Sequence, residues 1–336
     1  MNSSNQTQLD QTNPQTRYTA GVGIDVSKHA WDVHILLDPA QSRGQAVSLG
    51  SDADALRKLL KLLKPLRAQA LIVLEATGGL ERPLAAALMD DGHHVAIINP
   101  RRARSYADAE GIVAKTDPID ARVLALFALK LQPRRSPRTT HQHAELDALV
   151  VRRRQLIDLR SAESNRIQQT DSKFARKSIE KVLKILQKQV SQTEAAIAKL
   201  IESNDDWSRK SDIVSSAPGI GPATASTLIA DLPELGQLNR EKIATLVGIA
   251  PLNKDSGTLK GKRPIRGGRA SVRSVLYMAT LSATRFNPVI RTMYQRLTNK
   301  GKPHKLAHVA CMRKLLSILN TMVRNDQLWN PGIAQA

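Results

Sequence analysis

The period of apolar and polar positions changes several times along the chain, and each change predicts a different element. From Ala20, the segment AGVGIDVSKHAWDVHILLD has β-branched and apolar residues on both sides of SKHA, which predicts two strands joined as a hairpin. The runs ALIVLEA and HHVAIINP predict two more strands, and helical spacing appears at about 53–64, 81–91 and 116–131. Strands that alternate with helices favour an α/β domain whose later strands are parallel and buried.

The middle of the chain has a helical period. Residues 144–203 contain no Gly or Pro. Apolar residues recur there at steps of three, four or seven, at Ile179, Val182, Leu186, Val190, Ile197 and Leu200. This spacing predicts a long amphipathic or coiled-coil segment that links domains or pairs subunits.

The ends of the chain complete the expected domain organisation. The amide- and hydroxyl-rich residues 1–18 predict a disordered tail and lack the apolar core of a secretory signal. After the helical segment, SSAPGIGPATASTLIADL leads into a loop rich in Gly and basic residues and then into helices over about 270–325. We therefore expect an α/β domain at 19–135, a helical segment at 136–210, a mainly α domain at 211–326, and a tail at 327–336.

Charge identifies the class of partner. The 336 residues include 50 Lys and Arg against 30 Asp and Glu, which gives a net charge of +20. Residues 1–130 hold 15 of these cations and 14 of the acids, so residues 131–336 carry +19. Such an excess favours a polyphosphate partner, and nucleic acid is the first expectation. No apolar run approaches the ~20 residues of a membrane span, so no membrane partner is expected.

The cysteine content indicates the compartment. Cys311 is the single cysteine, which excludes an internal disulfide framework and a Cys-based zinc site. This composition fits the reducing cytoplasm.

Four carboxylates occupy positions where polar residues are costly. Asp25 lies within the first predicted strand and Glu75 ends LIVLE, while Asp117 and Asp120 share one helix face at i, i+3. Carboxylates at the ends of adjacent strands, together with a helical pair, form the oxygen cluster that holds one or two Mg²⁺ ions in phosphoryl transfer. The chemistry predicted from this set is phosphodiester cleavage.

Simpler roles remain open for some of these acids. Asp117 is also suited to be the N-terminal charge of its helix, with Pro118 at the first helical position. Asp32, seven residues after Asp25, can lie opposite Asp25 across the hairpin as a solvated or supporting residue. Glu75 is harder to explain structurally, because an unpaired buried carboxylate is expensive.

A glycine-containing turn near 220 suggests a backbone grip on nucleic acid. The sequence Pro-Gly-Ile-Gly-Pro-Ala at 218–223 stands between two apolar helices and resembles a helix-hairpin-helix element. In such an element the glycines, here Gly219 and Gly221, let backbone N–H groups approach a phosphate. The alternative is a tight turn between two packed helices.

A basic loop follows, with a serine inside it. Seven cations lie within twenty positions of PLNKDSGTLKGKRPIRGGRASVR, namely Lys254, Lys260, Lys262, Arg263, Arg266, Arg269 and Arg273. This density predicts a phosphate-contacting surface. The hydroxyl of Ser256 is a candidate to attack phosphorus and conserve the bond as a phosphoserine ester. Thr258, Ser271 and Ser274 compete for that role, and a turn or capping role for Ser256 stays open.

Taken together, these motifs resemble a known family. GIDVSKHAWDV, LEATGGLE, HVAIINP, KTDPIDARVLA, PGIGPATASTLIADLPELG, LVGIAPLNKDSG, KRPIRGGRASVRSVLYMAT and GKPHKLAHVACMRKLLSILN occur in the order seen in the DEDD-type transposases of the insertion-sequence one-ten family. Those proteins are also described as bridge-RNA-guided serine recombinases. The resemblance covers about residues 19–325, without a departure at the motif positions.

The resemblance implies a fold and a site. It implies a RuvC-like domain with a ribonuclease H fold, a helical coiled-coil segment, and a mainly α C-terminal transposase domain with a helix-hairpin-helix-like element. The family's metal tetrad falls on Asp25, Glu75, Asp117 and Asp120, and its catalytic serine falls on Ser256. The implied cofactor is Mg²⁺, with Mn²⁺ as a substitute. The tetrad and the serine would form a composite site between protomers of a dimer that assembles to a tetramer.

The implied function is RNA-guided DNA recombination in the bacterial cytoplasm. A bridge-type non-coding RNA would pair with donor and target DNA, while the protein holds backbone and shape, as in other RNA-guided systems. Cutting and rejoining would pass through a covalent 5′-phosphoserine link. One alternative is a RuvC-type two-metal nuclease in which water attacks and Ser256 is incidental. Another is a non-enzymatic architectural protein that only binds nucleic acid.

Overall fold

The structure is a computed structural model that describes residues 18–38, 44–114, 116–138, 140–251, 255–256, 259–260, 264–265 and 267–332. At 255–256 and 259–260 it describes the backbone alone. The chain divides into two compact units, Met1–Thr139 and Thr140–Ala336. Of the expected N-terminal tail, residues 1–17 lie outside the described residues, and Tyr18 is buried.

A five-stranded mixed sheet forms the centre of the first unit. Its strands are β1 (Ala20–Val26), β2 (Ala30–Leu36), β3 (Gln45–Gly50), β4 (Ala70–Glu75) and β5 (His94–Ile98). The spatial order is β3-β2-β1-β4-β5. Strand β2 pairs antiparallel with both β1 and β3, whereas β4 and β5 run parallel to β1. This arrangement confirms the predicted hairpin and the predicted parallel later strands.

Four helices cover the two faces of this sheet. They are α1 (Ala53–Leu63), α2 (Glu81–Asp90), α3 (Pro100–Ala109) and α4 (Asp117–Leu131). Helices α1 and α2 pack on the face that carries Val22, Ile24 and Leu74, whereas α3 and α4 pack on the face that carries Leu71 and Val73. The strand order with helices on both faces agrees with the expected RuvC-like α/β fold class, which is confirmed.

The second unit begins with an antiparallel pair of long helices, α5 (His141–Ile167) and α6 (Lys173–Glu202). Two cross-helix contacts run in the antiparallel sense, because Arg153 reaches Glu194 while Arg160, seven residues later, reaches Gln187, seven residues earlier. The predicted helical segment is therefore a hairpin of two helices. Its break at 168–172 needs no Gly or Pro, since the Ser172 side chain caps α6 through the Ala175 N–H at 3.4 Å.

The remaining described part of the second unit is mainly helical, as predicted. Its helices are α7 (Asp205–Ser215), α8 (Pro222–Asp231), α9 (Arg240–Val247), α10 (Ala270–Phe286), α11 (Pro288–Asn299) and α12 (His304–Arg324). Two short strands, β6 (Asp255–Ser256) and β7 (Leu259–Lys260), separate α9 from α10. The core contains Leu228, Val247, Leu276 and Leu315, together with Cys311, whose thiol pKa is raised to about 11 by burial.

The boundaries between expected domains stay a prediction, but two packing facts bear on them. The base of the α5–α6 hairpin shares a core with α7 and α8, in which Leu146, Ile197 and Trp207 are buried. Within 327–336, expected as a tail, Trp329 packs against the helical core and its backbone N–H donates to the Ser216 hydroxyl at 2.8 Å. No helix in the described part of the chain is long and apolar enough to span a membrane.

Candidate active site

Two glycines let helix α4 lie directly on strand β1. A Cβ added to Gly23 would stand 1.9 Å from the carbonyl oxygen of Ala121, and one added to Gly21 would stand 2.4 Å from that of Ala125. Because the later helix residue faces the earlier strand residue, α4 runs antiparallel to β1. The N-terminus of α4 is therefore at the carboxyl end of β1.

This seating brings the four predicted carboxylates to one edge of the sheet. Alternation along a strand puts Asp25 on the face opposite Ile24, which is the face that α4 covers. Glu75 ends β4 on the same face, since it alternates with Leu74. Asp117 and Asp120 lie in the first turn of α4.

The pKa of Asp25 indicates that these acids lie close together. Burial and the negative charges of neighbouring acids together raise the pKa of Asp25 to about 6. Burial has the largest effect, followed by the charges of Asp117, Asp120 and Glu75, and then that of Asp32. Asp32 faces Asp25 across the β1–β2 pair, as the hairpin spacing predicted. An acid that is surrounded by other acids favours its neutral form unless a cation compensates the charge.

The carboxylates share a face and an edge without forming a closed ligand set. Among the described residues, no group of three or more Asp, Glu, His or Cys side chains has the spacing of a metal site. Exposure differs within the set, because Asp117 is exposed while Asp25, Glu75 and Asp120 are half-buried. The alternative role of Asp117, as the N-terminal charge of its helix, also agrees with its position. Asp117 is the first residue of α4, and Thr116 rather than Asp117 is the N-cap.

Sequence reasoning missed Glu81, which organises the loop after Glu75. The Glu81 carboxylate is only 5% exposed. It accepts hydrogen bonds from the N–H groups of Thr77 at 3.0 Å and Gly79 at 2.9 Å, and from the Thr77 hydroxyl at 3.3 Å. Gly78 and Gly79 have φ of 76° and 110°, which glycine tolerates best. A Glu two residues after paired glycines was the available signal.

Ser256 lies in the second unit, at the end of a short hairpin. Strands β6 and β7 pair antiparallel, with Ser256 opposite Leu259, so Ser256 is the last residue before the connection. The side chain of Ser256 is outside the described residues, and so is Thr258. Below the hairpin, Pro251 and Ile265 form an isolated bridge that brings the two chain segments together.

The cations predicted to contact phosphate divide into two groups. Lys254, Lys262, Arg263 and Arg266 lie outside the described residues, as does the side chain of Lys260. The other two bond to the protein itself. Arg269 donates to both carboxylate oxygens of Glu234 and to the Asp231 carbonyl at 2.9 Å, and Arg273 donates to the carbonyls of Gly267 and Val247.

These bonds close the base of the basic loop. The backbones of Gly248 and Gly268 approach so closely that a Cβ on Gly268 would stand 2.3 Å from the Gly248 nitrogen. Arg273 bonds to the carbonyls of Gly267 and Val247, which are the chain neighbours of these two glycines, and Arg269 directly follows Gly268. Their phosphate-binding role stays a prediction, while the role visible in the structure is to hold the loop.

The Gly219 and Gly221 positions also differ from each other. Gly219 has φ of 101°, and a Cβ there would meet the backbone nitrogen of Ala283 in α10 at 2.7 Å. It therefore serves close helix packing, which is the alternative considered for this turn. Gly221 is the N-cap of α8, has no side-chain cap bond, and has open space where a Cβ would stand. Gly221 thus keeps the geometry that an approaching phosphate requires.

Comparisons with known families agree with the sequence motifs. The DEDD transposase model of the IS110 group matches residues 22–170, and the model for transposases of the IS116/IS110/IS902 family matches residues 211–295. The chain belongs to the IS110 family of transposases. The first match includes all four carboxylates, and the second includes the loop that carries Ser256.

Two curated relatives and one solved structure are similar to this transposase. It is 26% identical over 323 residues to the pilin gene-inverting protein of Moraxella bovis, covering 93% of this chain and 98% of that one. It is 32% identical over 143 residues to an uncharacterized 42 kDa protein of insertion element IS900 from Mycobacterium paratuberculosis, covering 41% and 35%. RuvC of Thermus thermophilus in complex with a Holliday junction substrate aligns with 34% of this chain and 96% of its own, at 13% identity and a TM-score of 0.27.

Proposed function

We propose that this transposase cuts and rejoins donor and target DNA through a phosphoserine intermediate at Ser256, assisted by a divalent cation and guided by a bridge-type RNA. The observation that carries the proposal is the convergence of acids around Asp25 at one sheet edge, in a chain of a transposase family. The similarity to a pilin gene-inverting protein supports recombination over simple cutting.

The donor set suits a hard cation. Asp25, Glu75, Asp117 and Asp120 offer only carboxylate oxygens, which Mg²⁺ and Mn²⁺ prefer. These side chains are not at ligand spacing among the described residues, and a cation held by them would offset the mutual repulsion that, after burial, raises the pKa of Asp25. A cation held by these carboxylates would polarise the scissile phosphate and offset the charge that builds up on its oxygens.

The chain's own residues then carry the covalent chemistry. The Ser256 Oγ attacks phosphorus and gives up its proton, and a P–Oγ bond forms. The bond from phosphorus to the 3′ oxygen breaks, and that oxygen takes up a proton and becomes a 3′-OH. Attack by the 3′-OH of the partner strand reverses these changes and frees the serine. The bond energy is conserved, so no ATP is needed.

The partners follow from charge and family. The C-terminal residues that carry +19 suit phosphate backbones of both RNA and DNA. We propose the domain organisation of the family, with the RuvC-like domain at 19–135, the helical segment at 136–210 and the transposase domain at 211–326. The site would form between protomers of a dimer that assembles to a tetramer on DNA.

Recombination with matched variants tests the proposal. The protein is purified with its co-expressed flanking non-coding RNA and mixed with donor DNA, target DNA and Mg²⁺. Ser256→Ala and Asp25→Asn are expected to abolish joined product. The matched controls Ser274→Ala and Asp32→Asn are expected to retain product. A Ser256→Ala protein that still cuts DNA would favour the nuclease alternative, and rearrangement that survives Asp25→Asn would favour a binding-only protein.

A further inference from the structure

A long stretch of the C-terminal unit has no acidic residue at all. Between 256 and 325 the chain carries 15 Lys and Arg and no Asp or Glu. Some of the described cations in this stretch are used inside the protein. Arg269 and Arg273 hold the basic loop, and Arg324 donates to the carbonyls of Gly236 and Leu238. The remaining described cations of this stretch include those of helix α11.

Helix α11 and its C-cap residue carry three of these cations, all of them exposed. One side of α11 packs on the core, where Ile290 is fully buried and Met293 and Tyr294 are partly buried. The opposite side, called here the α11 outer face, is exposed and consists of Pro288, Arg291, Thr292, Gln295, Arg296, Asn299 and Lys300. Apart from Pro288, every one of these side chains is a hydrogen-bond donor, and none is acidic.

The cations of the α11 outer face are not used for intramolecular pairing. Among the described residues, no hydrogen bond or ion pair joins the side chains of Arg291, Arg296 or Lys300 to another group. In this they differ from Arg269, which makes three bonds to Glu234 and Asp231. Fixing three long cationic side chains on one helix without acids opposes stability, so their arrangement calls for an external anion.

The turn after α11 extends this surface. Gly301 has φ of 73°, and the Lys302 N–H donates to the Leu297 carbonyl at 3.1 Å, which ends α11 in a Schellman-type turn. The Tyr294 hydroxyl and the His304 Nδ1 lie 3.1 Å apart and join α11 to the start of α12. The turn is thereby fixed, with Lys302 and Lys305 both exposed at its two ends.

We propose that the α11 outer face and this turn bind duplex DNA, through residues other than the four carboxylates and Ser256. Helix α11 has 12 residues, so it is about 18 Å long, and Arg291 and Lys300 are about 14 Å apart along its axis. A helix of this kind fits the major groove of B-DNA, where Arg, Gln and Asn bond to base edges and phosphates.

Two other partners fit this surface less well. The major groove of an RNA duplex is too deep and narrow for a helix to enter. Protein interfaces centre on aromatic and aliphatic side chains and are depleted in Lys, whereas this face has no aromatic or aliphatic residue besides Pro288. Duplex DNA is therefore the partner that the surface chemistry favours.

Binding measurements test the proposal without any catalysis. Full-length protein is titrated into a fluorescein-labelled DNA duplex in EDTA, over a range of KCl concentrations, and anisotropy is recorded. The test variant carries Arg291→Gln, Arg296→Gln and Lys300→Gln, which keep helix propensity nearly unchanged. The control removes three exposed cations from α6, with Lys181→Gln, Lys188→Gln and Lys199→Gln.

The two variants have the same net charge, so only placement separates them. The test variant should lower the slope of log affinity against log salt by about 0.9 for each lost phosphate contact, or roughly 2.7 in total. Its affinity at ~0.1 M salt should fall by on the order of 10²-fold. The control should change both quantities much less, and neither variant should melt below the wild-type temperature.

Two results would overturn the proposal. Equal losses in the test and control variants would mean that DNA senses only net charge. A larger loss on an RNA duplex than on the DNA duplex would assign the surface to RNA. Because the assay needs neither Ser256 nor a metal ion, a failure of the proposed reaction would leave these results unchanged.

Discussion

The contact between α4 and β1 makes Gly23 the most sensitive single position for the carboxylate site. In Gly23→Ala the new Cβ would stand 1.9 Å from the Ala121 carbonyl oxygen and 2.4 Å from the Ala125 nitrogen. Ordinary contact begins at 3.4 Å, so α4 must move from β1 by about 1.5 Å. The third atom that the Cβ meets is the Leu124 Cβ at 2.7 Å. None of the three atoms can rotate away to relieve the clash, because two belong to the backbone and a Cβ is fixed by it.

Both stability and activity should respond to this displacement. Overpacking against backbone should cost roughly 3 kcal/mol in free energy of unfolding. Since α4 carries Asp117 and Asp120, its movement away from Asp25 should lower recombination by ~10²-fold, the order expected for a misplacement of about 1 Å. Urea unfolding and the recombination assay measure the two effects on the same preparation.

Gly50→Ala is the matched control within the same sheet. A Cβ at Gly50 meets only the Asp52 carboxylate, at an ordinary 3.6 Å. This variant should unfold and recombine like the wild type. Equal stability and equal recombination for Gly23→Ala and Gly50→Ala would refute the conclusion that close packing of α4 on β1 assembles the site.

Three further predictions concern charge and packing. Because the folded state raises the pKa of Asp25 from 3.8 to about 6, the metal-free protein should lose stability as pH rises from about 4 to about 6, and Asp25→Asn should abolish that loss. Urea unfolding in EDTA at pH 7 should show a gain of at most ~3 kcal/mol for this variant, and a gain of zero would contradict the clustering of acids. If Arg269 is structural, Arg269→Gln and Glu234→Gln should each lower the unfolding free energy by about 1–3 kcal/mol, and an unchanged Glu234→Gln protein would argue for a phosphate role of Arg269. Gly219→Ala should lower the melting temperature more than Gly221→Ala, which places Ala at the N-cap of α8 without a clash, and equal melting temperatures would contradict the packing role of Gly219.

Much of the α/β unit was predictable because strand and helix periods are strong local signals. The hairpin around SKHA, the parallel strand that ends at Glu75, and helix α4 all follow from apolar spacing. Helix α3 was not predicted, because its sequence PRRARSYADA is too polar for a clear apolar face. The break between α5 and α6 was missed because the turn at 168–172 uses capping side chains instead of Gly or Pro.

The acidic residues of the candidate site could be named from the sequence, but their arrangement in space could not. Strand alternation places Asp25 and Glu75 on one face, yet only the seating of α4 on Gly21 and Gly23 brings the helical acids to the same edge. The buried role of Glu81 depends on three donors in a loop, and no sequence period reports such contacts. The same limit applies to Arg269, because composition cannot separate a cation that holds the protein together from one that faces a partner.

The most direct test of the account is to identify the atom that becomes linked to DNA. The protein and its RNA are incubated with Mg²⁺ and with donor and target DNA, quenched in denaturant, and digested, and the DNA-linked peptide is mapped by mass spectrometry. The account predicts a denaturation-resistant adduct in the wild type, with the phosphate on Ser256, and no adduct in Ser256→Ala or Asp25→Asn. Free cut DNA without any adduct, or an adduct on another residue, would contradict it.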